Sequence, residues 1–318
     1  MAYRFEEGYF SSANQVTNVY YCRYLPERIK GVVLLLHGMG SHAARYRELA
    51  DILSASGYAV YAYDLVGHGK SVSDGEAFGT FAEKNGDVVL VKDLFTMTEL
   101  IRRRFRMLPF FAFGHSLGSF ILRAFVAAHP NVFDGIILSG TAKPMTFSFL
   151  KRHKLQRLIK KAGRKYSPEV ERLMLGGLVA PFLQEEGSWL TTRPESLPNK
   201  RTDPYVGHKM KADAYGDIFK LLDYISSDEW LDRAPRGCSI LFLSGERDPL
   251  GGSEIEDLAE LLKNMDFGKI VCKIYRGEKH ELLGSLSNDR VVGDLIAFLD
   301  EETEAVGDLR RQRILGGI

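Results

Sequence analysis

Six short runs of apolar residues stand out along the chain, at 32–37, 59–64, 110–114, 135–140, 239–245 and 270–275. Each runs out into Gly, Asp or another turn residue. Uninterrupted Val, Ile, Leu and Phe at this length predict strands covered on both faces, as in a parallel sheet. Between the runs lie segments with helical spacing of apolar positions, at 46–56, 88–105, 117–128 and 253–265. Strand alternating with helix predicts right-handed βαβ units around a mostly parallel central sheet, with helices on both faces. Ahead of this pattern, 4–11 and 16–24 flank the polar turn 12–15, which reads as an antiparallel hairpin at one sheet edge.

The alternation stops after Gly140. From 141 to 231 the chain is rich in Lys, Arg, Pro and Gly and has no strand-like run. A helical cap inserted between two stretches of core (1–140 and 232–318) fits best. It would sit over the strand ends, where open α/β sheets bind ligands. The residues from about Glu301 read as a charged helix end followed by a flexible Gly-Gly tail.

Within this frame, Gly114-His-Ser116-Leu-Gly118 follows the run 110–114 and precedes the apolar helix 117–128. That is the strand-turn-helix setting of a nucleophile elbow, and it points to the α/β-hydrolase fold. A serine in such a turn is held up at the sheet edge, and the flanking glycines let neighbouring backbone pass without a Cβ clash. The segment Leu36-His-Gly-Met39-Gly40 after the first parallel strand is the expected oxyanion loop. Its donors would be the N–H groups of Met39 and Leu117. His37 reads as a structural loop histidine.

Serine at neutral pH needs a base, and the base needs an orienting acid. In this fold the acid and then the histidine follow the serine in the chain. Asp248, just past the run 239–245, and His280, on the loop after 270–275, meet that order. Glu246 and Glu278 are competing acids in type, read here as solvated loop charges. His129, His153 and His208 read as surface or structural residues. Asp64, in Tyr63-Asp-Leu-Val-Gly-His-Gly-Lys-Ser71, precedes the serine and is expected to order the floor of the site.

These motifs resemble the monoglyceride lipase and lysophospholipase group of α/β-hydrolases, also grouped under a serine aminopeptidase-like heading. The resemblance covers nearly the whole chain. It is carried by 37–46, 64–71, 114–118, 244–248 and 279–281, with Trp189-Leu-Thr191 and Asp203-Pro204 in the insert. It implies hydrolysis of acyl esters at Ser116, Asp248 and His280, with a helical cap shaping an apolar acyl channel. It also places Ser41, Arg45 and Leu283 at the alcohol end of the substrate. There the chain departs from the pattern: Ser41 stands where a glutamate is usual, and Leu283 where some members carry a second histidine. Both changes are expected to make that end less polar.

Composition narrows the picture further. The 318 residues carry a formal charge of +1, which argues against a nucleic-acid partner. Cys22, Cys238 and Cys272 are widely spaced and odd in number, the pattern of free thiols in a reducing compartment rather than of disulfides or a zinc site. No metal or organic cofactor is called for. The start, MAYRFEE, lacks the basic-then-apolar form of a secretory signal, and no apolar stretch nears the roughly 18 residues needed to span a bilayer. A cytoplasmic enzyme is the expectation. The basic segment 151–165, interleaved with Leu155, Leu158 and Ile159, has two readings: a solvated helix over the core, or a peripheral contact with anionic lipid. Two other functions share this triad. One is an amidase or aminopeptidase, for which a cap acid such as Glu185 or Glu186 would bind the free amine. The other is a small-ester carboxylesterase.

Overall fold

The computed structural model describes residues 3–72, 78–185, 188–197, 201–265, 267–285 and 287–316. Glu186 therefore lies outside the described residues. The hairpin comes first, β1 (Tyr3–Ser11) and β2 (Asn18–Pro26), paired antiparallel. Then follow β3 (Gly31–Leu36), α1 (Arg47–Ala55), β4 (Tyr58–Tyr63), α2 (Gly86–Arg104), β5 (Phe110–His115), α3 (Leu117–Ala128) and β6 (Gly135–Ser139). After the insert come β7 (Ser239–Gly245), α8 (Ile255–Asn264), β8 (Ile270–Tyr275) and α9 (Asn288–Gly316). Spatial order is β1-β2-β4-β3-β5-β6-β7-β8, and β3 to β8 run parallel.

The uninterrupted apolar runs are buried because both sheet faces are covered. Along β3, Val32, Leu34 and Leu36 enter one core with α2, α3 and α8, while Val33 and Leu35 enter the other with α1 and α9. Side-chain alternation with a period of two divides each run between the two layers. The chain winds outward from β3 to β4, then returns to place β5 on the other side of β3. This reversal opens a crevice at the carboxyl ends of β3 and β5.

The insert between β6 and β7 holds α4 (Phe149–Ala162), α5 (Pro168–Val179), α6 (Ala212–Ile225) and α7 (Asp228–Arg233). Serines start three of them: the Ser148, Ser167 and Ser227 hydroxyls accept the N–H groups of Lys151, Val170 and Trp230, and Pro168 adds a preset φ at the first position of α5. At the chain's other end the charged segment after Glu301 is a helix end, as expected: α9 continues through Gly307 to Gly316, and Gly317 and Ile318 lie outside the described residues.

Candidate active site

The site is built where β3 and β5 end. Ser116 links β5 to α3 with φ 52° and ψ −120°, a backbone region that costs a non-glycine residue energy and is kept only when the surroundings impose it. The surroundings are tight. A Cβ on Gly118 would lie 2.5 Å from the Leu36 carbonyl oxygen, and one on Gly114 2.7 Å from that of Gly118. The first turn of α3 therefore rests directly on the end of β3. Ser116 N–H donates to the Ser139 carbonyl at 2.9 Å, tying the elbow to β6.

The loop after β3, expected to carry an oxyanion donor, approaches from the other side of the crevice. A Cβ on Gly38 would come within 3.0 Å of the Ser116 Cβ. His37 Nδ1–H donates to the Gly38 carbonyl at 2.8 Å, and His37 Nε2 accepts Leu65 N–H at 2.9 Å. Those two bonds fix a neutral tautomer and hold the Gly38 carbonyl on His37, so the trans Gly38–Met39 peptide aims Met39 N–H the opposite way. Burial holds the His37 imidazole well below its ordinary range, and neighbouring His68 pushes the same way. His37 is a structural residue that ties the loop 37–40 to Leu65.

Asp64 lies beneath this loop and accepts N–H from Ala43 at 2.6 Å and Lys70 at 2.7 Å. Gly69 is obligatory there: its φ is +50°, and a Cβ would fall 2.1 Å from the Asp64 carboxylate. The insert also grips the loop. His42 Nε2 and Asp203 Oδ2 are 2.7 Å apart, and Gly207 N–H donates to the Gly40 carbonyl at 2.8 Å.

Asp248 and His280, 32 residues apart in sequence, are brought together. His280 Nδ1 lies 3.0 Å from Asp248 Oδ2, and both side chains are buried. The other Asp248 oxygen accepts Leu250 N–H at 2.9 Å. With Nδ1–H committed to the carboxylate, Nε2 is left as the basic nitrogen. The Trp189 ring packs 4.7 Å from His280 on one side, and His115, the neighbour of Ser116, packs 4.9 Å away on another. Burial, reinforced by His280, lowers the His115 pKa to about 3, so it is a neutral wall.

Two cavities lie beside these residues. One, about 90 Å³, is lined by Ser116, Leu117 and Met39 with Phe147, Met174 and Leu178 among a mostly apolar wall. The other, about 330 Å³, is lined by Arg45, Glu281, His115, Ser196, Leu283 and Asn288. Arg45 Nη1 also donates to the Ser41 hydroxyl at 3.2 Å.

Two readings of the sequence need correction. Glu278 is not a solvated charge: it is buried, accepting the Thr192 hydroxyl and Ser287 N–H, and so binds the insert to the core. At the end carrying Ser41 and Leu283, Glu281 supplies a carboxylate to Arg45 at 3.2 Å. Glu185 is no amine-binding acid, since Arg247 and Lys279 already occupy it. Glu281, His115 and Trp189 are site residues that the sequence reading did not single out, although each lies in a segment that carries the resemblance, at 279–281, 114–118 and 189–191.

A family model described as serine aminopeptidase, S33, matches residues 27–286. Human monoglyceride lipase is 32% identical over 300 residues, spanning 90% of this chain and 88% of its own length. The monoacylglycerol lipase of Mycolicibacterium smegmatis is 26% identical over 278 residues, spanning 85% and 88%. Among solved structures, a highly thermostable carboxyl esterase from Bacillus coagulans in complex with glycerol is 26% identical. It superposes with a TM-score of 0.85 over 95% of this chain and 99% of its own.

Proposed function

The chain belongs to the serine aminopeptidase S33 family and is a serine ester hydrolase of the α/β-hydrolase fold; from that premise we propose that it works through an acyl-enzyme on Ser116, with acyl esters such as monoacylglycerols or lysophospholipids as substrates. The observation that carries this reading is the buried Asp248–His280 pair, whose His280 packs on Trp189 in the wall of the apolar slot that the strained Ser116 lines.

His280 Nε2 takes the Ser116 proton as Oγ attacks the ester carbonyl. Asp248 holds the tautomer and stabilises the imidazolium. The N–H groups of Met39 and Leu117 receive the oxyanion, each worth about 3–4 kcal/mol of barrier by comparison with other oxyanion holes. His280 then protonates the leaving alcohol, and water hydrolyses the acyl-enzyme by the reverse path. The insert acts as a cap, with α5 and α6 roofing the acyl slot. The cavity beside Arg45 and Glu281 receives the alcohol.

The apolar wall of the slot favours an acyl chain, and its volume of about 90 Å³ also supports a second reading, a short-chain carboxylesterase. The S33 amidase reading loses one of its two candidate acids, Glu185, to a pair of cations.

For lipid substrates, α4 offers a landing surface. Phe149 and Leu150 are 79% and 78% exposed at its start, beside Lys151, Lys154 and Arg157. Salt-sensitive co-sedimentation with anionic vesicles is expected, and its absence would remove this part of the reading. Among the described residues, no helix is long and apolar enough to cross a membrane.

The test is hydrolysis of p-nitrophenyl esters from acetyl to palmitoyl, with Ser116→Ala alongside. Loss of turnover in the variant and an optimum at medium or long chains are expected. An optimum at acetyl selects the carboxylesterase reading, and an active Ser116→Ala removes the acyl-enzyme.

A further inference from the structure

One carboxylate outside the triad touches both loops that carry it. Arg247 immediately precedes Asp248, and Lys279 immediately precedes His280. Glu185, in the insert, receives both: Arg247 Nη2 at 2.6 Å on one oxygen and Lys279 Nζ at 3.0 Å on the other. The Phe182 ring lies 5.6 Å from the guanidinium and 5.9 Å from the ammonium. Lys279 is only 3% exposed, and its ammonium also donates to the Ser188 carbonyl at 2.6 Å. A buried ammonium is costly without hydrogen-bonded partners, and both of these come from the insert.

The same stretch continues onto the histidine itself. The Trp189 carbonyl accepts His280 N–H at 3.4 Å, and the Leu190 carbonyl accepts Glu281 N–H at 2.6 Å. Within the core, the two loops already meet through Arg247 N–H and the Glu278 carbonyl at 2.9 Å. Glu185 closes that contact from outside, so acid loop, base loop and insert form one hydrogen-bonded unit.

We propose that Glu185 is a positioning residue for the triad. By holding Arg247 and Lys279 on one carboxylate, it fixes the geometry between Asp248 and His280. Seating of the insert thereby sets the rate of acylation as well as the shape of the acyl slot. The proposal rests on the assignment of Ser116, Asp248 and His280 above. Small misplacements of a catalytic base are expensive in rate, about 100-fold for 1 Å. Relaxing a two-point clamp should therefore slow chemistry without weakening the apolar contacts that bind the acyl chain.

The experiment measures kcat and KM on p-nitrophenyl butyrate, normalised to active sites titrated with a fluorophosphonate, alongside thermal melting. Glu185→Gln is expected to lower kcat per titrated site about 5–10-fold with KM within about twofold, since a misaligned His280 penalises the transition state and leaves acyl binding intact. Glu185→Asp should recover part of the rate. Lys279→Met combined with Glu185→Gln should be no slower than the slower single variant, because both act through one contact. An unchanged kcat per titrated site with a lowered melting temperature would overturn the proposal, leaving Glu185 a purely structural residue. So would full multiplicativity of the two variants. Ser116→Ala separates the premises: if it stays active the triad reading itself fails, and if it is dead while Glu185→Gln keeps its full rate only the positioning role fails.

Discussion

Arg45 and Glu281 face each other as a two-pronged pair, Nη1 to Oε1 and Nη2 to Oε2, both at 3.2 Å, beside the histidine that pairs with Asp248. Burial alone would raise the Glu281 pKa, but the Arg45 guanidinium outweighs it and holds the carboxyl below its ordinary value. Glu281 thus stays ionised down into the acid range, and the cavity beside it keeps a fixed charge pair although Ser41 carries none.

If this cavity receives the alcohol, its charged pair and Leu283 should set alcohol preference. Arg45→Ala is expected to lower kcat/KM for monoacylglycerols about 10-fold more than for p-nitrophenyl esters of the same acid, the scale of one lost polar contact of about 1.4 kcal/mol. Leu283→His should shift preference toward the glycerol ester. Equal effects on both ester classes in parallel assays would count against the assignment.

The apolar slot beside Ser116, proposed to hold the acyl chain, makes a separate prediction. Met174 of α5 lines it and is buried. Met174→Trp should fill the slot and move the chain-length optimum to shorter esters, leaving acetyl ester hydrolysis within about twofold. A chain-length profile that keeps its optimum would show the acyl group lies elsewhere.

His68 should make the fold acid-sensitive. Burial lowers its pKa to about 4 from an ordinary value of 6.5. Between those limits the unfolded chain binds a proton that the folded one refuses, so stability from this residue is present above about pH 6.5 and falls as pH drops toward 4. Asp93, raised by burial to about 6, contributes the opposite slope over part of the range. A single variant therefore isolates the effect better than the wild-type curve. In His68→Gln, the dependence of unfolding free energy on pH between about 4.5 and 6 should lose about 1.4 kcal/mol per pH unit. Denaturant titrations at several pH values check it, and an unchanged slope would refute it.

Two glycines in helices should answer substitution in opposite directions. A Cβ at Gly118 meets backbone oxygens of Leu36 and His37 at 2.5 and 2.8 Å, atoms that cannot swing away. Gly118→Ala should cost about 3 kcal/mol or more and abolish turnover. Gly293 in α9 has nothing within 4 Å of such a Cβ. Gly293→Ala should gain about 0.5–1 kcal/mol, raising the melting temperature by about 2 °C with activity unchanged.

The local rules carried far because each depends on neighbours in the chain. The runs at 32–37 and 110–114 had to be doubly covered strands, since continuous apolar residues in an extended chain present both faces to a core. Gly114, Ser116 and Gly118 had to form a tight elbow, since only glycine lets α3 rest on the end of β3. The order serine, acid, histidine then singled out Asp248 and His280 among several candidates of the same type. What sequence could not decide was everything that depends on distant segments packing together. Glu278 and Glu246 lie in similar polar loops, yet Thr192 folds over one and leaves the other in solvent. Glu281 looks like any surface acid until Arg45, 236 residues away, comes to meet it. Glu185 looks like a cap charge until two catalytic-side loops converge on it. Charges act through space and strands act through local pattern, so the chain's own periodicity determined the sheet and the elbow, while only the tertiary structure decided which charges face which.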